Sequence, residues 1–239
     1  MRHSSLAAVS VLALGMYGGT SQQVVRSSRS LEADDKSWTA DFHVEPGEWR
    51  STGRNPYFIL EPGFELVLEG GGTKLQITVL DETKTVAGVV TRVVEEREWK
   101  DGKLHEVSRN YFAMCEKTKD VFYFGEDVDF YEGGKVVKHD GSWLAGKDGN
   151  KPGLMMPGNP KVGMKYYQEI APGVAMDRAE IVSLDETCKT PAGTFSQCMK
   201  VEEGSAIEVL AKEFKYHAPG IGLVRDEDLH LIRYGPIKR

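Results

Sequence analysis

The stretch LDETKTVAG at residues 80–88 returns as LDETCKTPAG at residues 184–193. Each copy leads into a β-branched segment that ends in acids, Val93–Glu96 in the first and Val201–Glu203 in the second. The segments RNYFA (109–113) and FKYHA (214–218) then occupy corresponding places. Because one half-sheet cannot bury its apolar face alone, this recurrence predicts two related β-meanders that share one core.

The rest of the chain reads as a succession of short strands. From Asn55 onward, β-branched and aromatic runs alternate with Gly, Pro, Asn and Asp turn signals, and no window shows a capped 3.6-residue apolar pattern. The sequence therefore predicts an all-β fold with little helix, an antiparallel barrel or strongly curved sheet made of two repeated meanders at about 64–131 and 164–232. The predicted strands are 64–68, 75–80, 89–99, 104–114, 121–124, 127–131, 135–139, 165–170, 179–184, 194–201, 207–216 and 223–231.

Three segments divide the chain. Arg2 and His3 precede an apolar run, Leu6–Tyr17, which is too short to span a bilayer and has the size of a signal-peptide core. We therefore expect a signal peptide at 1–21, with a disordered tail as the alternative, and a periplasmic or secreted location. Residues 22–54 are rich in Ser, Arg and acids and predict a linker or lead-in. Residues 55–239 form one predicted domain without a membrane span.

Charge and motif content exclude several functions. The net charge of −6 leaves no basic footprint for nucleic acid. The chain has no Gly-x-Ser-x-Gly elbow, P-loop or dinucleotide fingerprint. Its six histidines show no spacing typical of a zinc or copper site, so any metal would need ligands from several strands. The sequence predicts no metal site and identifies no cofactor.

Two of the three cysteines flank the turn of the second repeat copy. Cys188 and Cys198 lie on either side of TPAGT, residues 190–194, and a hairpin centred near Gly193 would place them on facing strands. Such a pair is compatible with a disulfide in an oxidising compartment. Two half-buried thiols are the alternative, and Cys115 is expected to be a small core residue.

Two hairpin turns set the predicted register. Asp101-Gly102 and Gly133-Gly134 are two-residue turn sequences whose central positions favour positive φ. A regular ladder from the first turn places Arg97 opposite Glu106 and His105 opposite Glu98. A regular ladder from the second turn places Val137 opposite Phe130 and His139 opposite Val128.

That second hairpin supplies the main candidate site. Alternation along the strands would gather Phe124, Phe130 and Trp143 on one apolar face, with Glu126 and His139 as diagonal neighbours on it. An acid and an imidazole in an aromatic wall form a plausible acid–base or ligand-anchoring pair, because desolvation shifts both pKa values. A structural Glu–His hydrogen bond, or a bulge that returns Glu126 to solvent, is the alternative.

The connection between the halves supplies further candidates. Its Gly, Pro and Met residues predict a long ordered loop, 143–157, that caps one end of the barrel, with Met156 at an apolar mouth. Tyr167, Glu169 and Asp177 follow and are expected to rim the same opening. Packing beneath a loop is the alternative for Met156.

Several blocks resemble a family of uncharacterised, exported bacterial β-rich proteins. They are NPYF (55–58), YFGEDV (123–128), GSW (141–143), PGVAMD (172–177) and YHAPGIGLV (216–224). The last block is also similar to the closing strands of exported half-barrels that resemble lipoprotein carriers, which wrap their sheet around helices. The resemblance implies an exported β-rich fold and brings no assigned activity.

A cavity lined by aromatic residues and Met with few polar groups is typical of small-molecule sites. The leading hypothesis is therefore an extracytoplasmic binding protein for a small apolar or aromatic ligand. One alternative is an exported enzyme that uses Glu126 and His139 as acid and base, with or without a metal. The other is a structural envelope module whose barrel is filled by its own side chains.

Overall fold

The computed structural model describes residues 37–44, 47–208 and 210–237, and all regular structure in these ranges is β-strand. The predicted signal peptide and residues 22–36 of the predicted linker lie outside the described residues. Within the described ranges, no helix has the length and apolar character needed to cross a bilayer.

Eighteen strands make up the fold of these ranges. The first nine are β1 (Trp49–Arg50), β2 (Gly53–Asn55), β3 (Phe58–Leu60), β4 (Phe64–Gly70), β5 (Thr73–Val86), β6 (Val89–Lys100), β7 (Lys103–Cys115), β8 (Val121–Glu132) and β9 (Lys135–Lys138). The others are β10 (Trp143–Leu144), β11 (Lys151–Met156), β12 (Lys165–Tyr167), β13 (Glu169–Ile170), β14 (Asp177–Thr190), β15 (Gly193–Ser205), β16 (Lys212–Ala218), β17 (Gly222–Asp226) and β18 (Leu229–Pro236).

The main sheet is antiparallel and curls into a nearly closed barrel. Its strand order is β12-β14-β15-β16-β17-β18-β4-β5-β6-β7-β8-β11-β13, with β1, β9 and β10 added at the side. The two ends of this order, β12 and β13, are consecutive in the chain and are joined by Gln168. One short segment therefore pairs with β14 on one side and β11 on the other. The expectation of an all-β barrel or strongly curved sheet is confirmed.

The recurrent sequence occupies matching places in this barrel. Residues 80–88 end β5 and turn into β6, and residues 184–193 end β14 and turn into β15. Each hairpin is followed by two further antiparallel strands, β7 and β8 or β16 and β17. The matching cross-strand rows are Val94–Asn110–Glu126 and Val201–Lys215–Asp226. The origin of the two halves as a repeat stays a prediction.

A small hairpin outside the main sheet caps one end of the barrel. Strands β2 and β3 pair only with each other among the described strands. Asn55 anchors the hairpin: its Nδ2 donates to the carbonyls of Lys119 at 2.8 Å and Pro157 at 3.1 Å. Its Oδ1 accepts from the Tyr57 amide at 2.7 Å. The Phe58 ring packs against Phe112 with centroids 5.1 Å apart, which points the cap at the core.

The described end of the predicted linker belongs to the barrel. Trp49 and Arg50 form β1 and pair with Cys115 and Met114 of β7. The Trp49 ring packs edge-on against Phe122, with centroids 5.2 Å apart. This part of the predicted lead-in is therefore paired to the main sheet, where Trp49 covers an apolar side chain.

Bulges change the predicted registers. Both two-residue turns form as expected, with Lys100 opposite Lys103 and Glu132 opposite Lys135. A bulge after each turn then shifts the ladder by one residue, so that Glu98, not Arg97, lies opposite Glu106. In the second hairpin Phe130 lies opposite Lys138. Since side chains alternate along a strand, each shift moves the predicted partners to the other face.

The Cys188–Cys198 region also departs from a regular ladder. Cys188 lies opposite Phe195, and Cys198 lies opposite Glu186. All three cysteines are buried free thiols in the structure. Burial, together with a hydrogen bond to the Cys198 side chain, raises the pKa of Cys188 to about 12. The two thiols are in contact and unbridged.

Candidate functional site

An apolar cavity lies inside the barrel beneath the β2–β3 cap. Side chains from β4, β5, β6, β11, β12, β15, β16 and β17 form its wall, and Tyr57, Phe58 and Ile59 line it on the side of the cap. The space between the lining atoms is about 610 Å³ when its open mouth is counted. The room in which water-sized molecules can move is about 40 Å³, enough for a few waters. Only a slim molecule fits without movement of the cap.

Two neutral polar side chains face this cavity without a hydrogen bond. Tyr166 is 1% exposed and His217 is 4% exposed, and both line the cavity. The Tyr166 hydroxyl and both His217 ring nitrogens have no hydrogen-bond partner among the residues that the structure describes. A buried polar group left in this way costs about 1–3 kcal/mol. These groups are therefore the ones that an occupant with donor and acceptor atoms would satisfy.

Beside them lies a satisfied ion-pair network. The Lys215 ammonium, 1% exposed, lies 2.6 Å from Glu203 Oε2 and 3.0 Å from Glu213 Oε1. Gln168 Nε2 donates to Glu203 Oε1 at 2.9 Å. Burial works to raise the pKa of Glu203, but the Lys215 ammonium outweighs burial and lowers it. Burial works to lower the pKa of Lys215, but the facing carboxylates raise it well above its usual value.

His217 is neutral in this environment. Burial lowers the pKa of His217 to about 4, and the carboxylate of Glu203 opposes that change without overcoming it. A neutral imidazole offers one N–H donor and one acceptor nitrogen. Burial also raises the pKa of Tyr166, so that its hydroxyl stays protonated. The cavity thus presents neutral donors and acceptors next to a compensated ion pair.

The barrel interior holds an unusual number of acids. Seven carboxyl side chains on inward rows are buried, whereas Lys215 is the one lysine in the described residues with so little exposure. Burial raises the pKa of Glu106 and of Asp226 to about 8 and that of Asp177 to about 7. These seven are Glu96, Glu98, Glu106, Glu126, Glu169, Glu203 and Asp226; Glu65 and Glu95 are buried as well, and each pairs with an arginine.

These acids predict a stability that falls as the pH rises. A buried acid with a raised pKa keeps a proton that the unfolded chain has lost, so the unfolding free energy drops between the unfolded and folded pKa values. His217, with a pKa lowered from 6.5 to about 4, does not titrate above its unfolded value. From pH 6.5 to 8 each raised acid contributes up to about 1.4 kcal/mol per pH unit. We expect urea denaturation to show a lower unfolding free energy at pH 8.

The variant Glu106→Gln tests the source of this trend. Its unfolding free energy should drop less from pH 6.5 to pH 8 than that of the wild type, because glutamine has no proton to lose over this range. Glu132→Gln, which alters an exposed acid, should keep the full drop. A wild-type stability that stays level or rises over this range would contradict the account of the interior.

The structure does not bring Glu126 and His139 together. Glu126 is 1% exposed, and burial together with the charge of Glu169 raises its pKa well above the usual value. The His139 side chain is 69% exposed, and its Nδ1 lies 2.7 Å from Asp129 Oδ1. The register shift in the β8–β9 hairpin is the physical reason, because it removes His139 from the inner face.

The predicted aromatic wall is divided between two faces of β8. Gly125, with φ +129°, lies at an irregularity in the β7–β8 ladder, and a Cβ there would lie 2.3 Å from the Trp143 carbonyl oxygen. Phe124 packs against Trp49, with centroids 5.2 Å apart, whereas Trp143 packs against Tyr123. Phe130 is buried near His105. None of Phe124, Phe130 and Trp143 lines the cavity.

The candidates after β10 lie closer to the cavity. Met156 lines it, but in strand β11, which replaces part of the predicted loop. Tyr167 packs on Trp38, with centroids 6.4 Å apart, while its neighbours Tyr166 and Gln168 line the cavity. Glu169 accepts a hydrogen bond from Trp143 Nε1 at 2.8 Å. Asp177 pairs with Ser205 at the start of β14.

Sequence reasoning missed Tyr166, His217 and Glu203. Two of them were visible in the recurrent blocks, Val201–Glu203 and FKYHA, but His217 stands before Pro219-Gly220 and suggests a turn residue. Strand alternation back from His217 places Lys215 on the same face, and a buried lysine demands acidic partners. The alternation of His217 and Lys215 along one strand was therefore the sequence signal that could have predicted this buried polar site.

The described residues contain no evident metal site. Among them, no group of three His, Cys, Asp or Glu side chains is arranged to hold a metal ion.

Comparison with known proteins does not assign a family. No family model matches the chain, and no curated protein matches it. A solved structure of a hypothetical protein from Chlamydia trachomatis aligns over 75% of this chain and 89% of its own, with 11% identity and a TM-score of 0.24. That similarity is too low to support a conclusion.

Proposed function

We propose that this chain is an exported binding protein for a small, mostly apolar molecule with one hydrogen-bonding end, held in the barrel cavity. The observation that carries the proposal is the pair of buried groups, Tyr166 Oη and the His217 ring, that face an apolar space without a hydrogen bond. Concave apolar sites with a few convergent polar groups are the usual form of small-molecule sites. Export rests on the apolar run near the N-terminus.

The shape of the cavity limits the ligand. A six-carbon chain or a single ring matches the narrow space better than a fused ring system, unless the cap moves. Such a ligand has few atoms, and even an efficient one gains at most about 1.5 kcal/mol per non-hydrogen atom. We therefore expect a dissociation constant of about 1 mM or lower for a simple probe such as 1-hexanol, which corresponds to about −4 kcal/mol.

An exported enzyme with an interior Glu–His pair is the second candidate. Glu203 and His217 do border the same cavity, in place of Glu126 and His139. However, a general base works best with a pKa near the working pH, and burial lowers the pKa of His217 to about 4. Glu203 is occupied by Lys215 and Gln168. The site therefore favours binding over proton transfer.

The variant Tyr166→Phe tests the proposed function. It removes a hydroxyl that has no hydrogen-bond partner among the described residues, so the free protein should gain about 1 kcal/mol in unfolding free energy. The same change should weaken 1-hexanol binding about tenfold, because that hydroxyl is a ligand contact. Urea denaturation and calorimetric titration measure the two effects.

Tyr123→Phe is the matched control. The Tyr123 hydroxyl donates to Asn110 Oδ1 and lies outside the cavity lining. This control should therefore lose about 1 kcal/mol of stability and keep 1-hexanol affinity. A Tyr166→Phe protein that is destabilised and binds 1-hexanol as the wild type does would refute the proposed site, as would a wild type that does not bind saturably.

A further inference from the structure

The cavity wall is mostly apolar, but it also contains acidic side chains. Among the described residues, the lining contains two acids, Glu96 and Glu203, and neither Lys nor Arg. Glu203 is compensated by the Lys215 ammonium at 2.6 Å. Glu96, 2% exposed on β6, lies opposite Ile77 of β5 and Ser108 of β7 in the sheet. The surface that a ligand meets therefore carries acidic side chains and no basic one.

The wall behind Glu96 carries further acids, of which Glu106 keeps its proton at pH 7 because burial raises its pKa to about 8. Glu98 follows on the same inward row, and Glu106 lies directly opposite Glu98 on β7. Two lysines lie near these acids: the Lys100 side chain, 39% exposed, has its ammonium 2.8 Å from Glu98, and Lys138 lies opposite Phe130 on the same row. In a poorly hydrated interior, charges interact more strongly than in water. The charge that a ligand meets is therefore that of Glu96, which would repel an anionic ligand and attract a cationic one.

The remaining lining groups also fit a cation. An ammonium group has three N–H donors. The Glu96 carboxylate, Tyr166 Oη and the acceptor nitrogen of the neutral His217 are three acceptors on the same cavity. The rings of Tyr57, Phe58 and Phe64 line it as well, and aromatic faces attract cations. A nearby ammonium in turn favours the charged form of a buried carboxyl group.

We propose that the ligand of the cavity is an organic ammonium, a slim apolar chain or ring that carries a protonated amine, with Glu96 as its counter-ion. This inference rests on the proposed function and names the chemical class of its ligand. Glu96 sets specificity, while Tyr166 and His217 orient the amine and the apolar lining holds the chain.

Three probes of equal chain length test this inference. Calorimetric titration at pH 7 compares n-hexylamine, 1-hexanol and hexanoate on the wild-type protein. We expect n-hexylamine to bind at least tenfold more tightly than 1-hexanol, and hexanoate not to bind. Equal affinities for the amine and the alcohol, or a preference for hexanoate, would overturn the ammonium assignment and leave the proposed binding function in place. No binding of any probe would overturn both.

The variant Glu96→Gln assigns the preference to one residue. It keeps the shape of the side chain and should bring the amine-to-alcohol ratio below about threefold, because the loss falls on n-hexylamine. Glu106→Gln, an acid on the same wall outside the cavity lining, should keep the full ratio. An undiminished ratio in Glu96→Gln would overturn the role of Glu96, and the wild-type comparison decides the ligand class even if that variant fails to fold.

Discussion

Lys215→Met should lower the unfolding free energy by about 3–5 kcal/mol at pH 7, the usual cost of breaking a buried ion pair from one side. The methionine keeps the apolar stem but removes the ammonium that lies within 3.0 Å of both Glu203 and Glu213. Those carboxylates, and the nearby Asp226, would then face one another in the interior. Urea denaturation followed by tryptophan fluorescence measures the loss.

The pH dependence of this variant gives a second check. Without the ammonium, burial alone acts on the Glu203 carboxyl group and raises its pKa, so the variant regains stability as acid supplies a proton. In the wild type the pKa of Glu203 is lowered, so this group is ionised in both the folded and the unfolded chain between pH 7 and pH 5 and does not change the unfolding free energy there. The difference between the two proteins should therefore shrink from pH 7 to pH 5.

Lys212→Met is the matched control for Lys215→Met. Lys212 begins the same strand, is 64% exposed, and pairs with Glu202 on the surface. Surface ion pairs contribute less than about 1 kcal/mol, so this control should lose no more than that. Equal effects for the two lysines would mean that the interior network is solvated in solution, contrary to the structure.

Gly153→Ala should destabilise the protein by about 3 kcal/mol, the upper end of the range for overpacking. A Cβ at this position would lie 2.3 Å from the Gln168 carbonyl oxygen and 2.8 Å from that of Tyr167. Both contacts are backbone atoms at the seam where the barrel closes, so relief requires β11 to move away from the β12–β13 segment. Hydrogen exchange should show faster exchange at Gln168, because displacement of this segment also strains the bond that the Gln168 amide donates to the Asp177 carbonyl of β14.

Gly149→Ala is the control for Gly153→Ala, because it replaces a glycine without creating a steric clash. Gly149 has φ +83°, and no atom lies within 4 Å of the position that an alanine Cβ would take, so alanine there adds backbone strain alone. That strain costs about 1–2 kcal/mol. If Gly153→Ala is no more destabilising than this control and leaves Gln168 protected, the barrel does not close at this seam.

The strands could be predicted because local signals decide them. Alternation on β5 buries Thr73, Leu75, Ile77 and Val79 and leaves the residues between them part exposed. The turns at Asp101-Gly102 and Gly133-Gly134 formed where their positive-φ preference required. These features depend on neighbours in sequence, so a single chain is enough to reveal them.

The faces of the strands could not be predicted because bulges depend on tertiary packing. An extra residue on the partner strand, His105 opposite the Glu98–Trp99 step and Val137 opposite the Phe130–Tyr131 step, reversed the partners expected from each turn. A bulge carries no reliable residue signature, yet it moves every following side chain across the sheet. The candidate pair of Glu126 and His139 failed for this reason, and the cavity groups Tyr166 and Gln168 were each one residue from a candidate.

The acidic interior was hidden for a different reason. Glu96, Glu98 and Glu106 stand among charged neighbours and, in sequence, match a solvated strand face. Burial of acids on this scale is costly unless protons, partners or a ligand compensate it. Lys215 supplies part of the compensation and raised pKa values supply more, while the proposed ammonium ligand would add a further positive charge beside Glu96.

A crystal structure of the protein grown with n-hexylamine is the most direct test of the ligand-binding barrel. We expect the hexyl chain inside the barrel beneath Tyr57 and Phe58, with the nitrogen about 3 Å from Glu96 and from Tyr166 Oη. A barrel interior closed by its own side chains, with Tyr166 and His217 bonded to protein groups and the amine absent or bound on the surface, would contradict it.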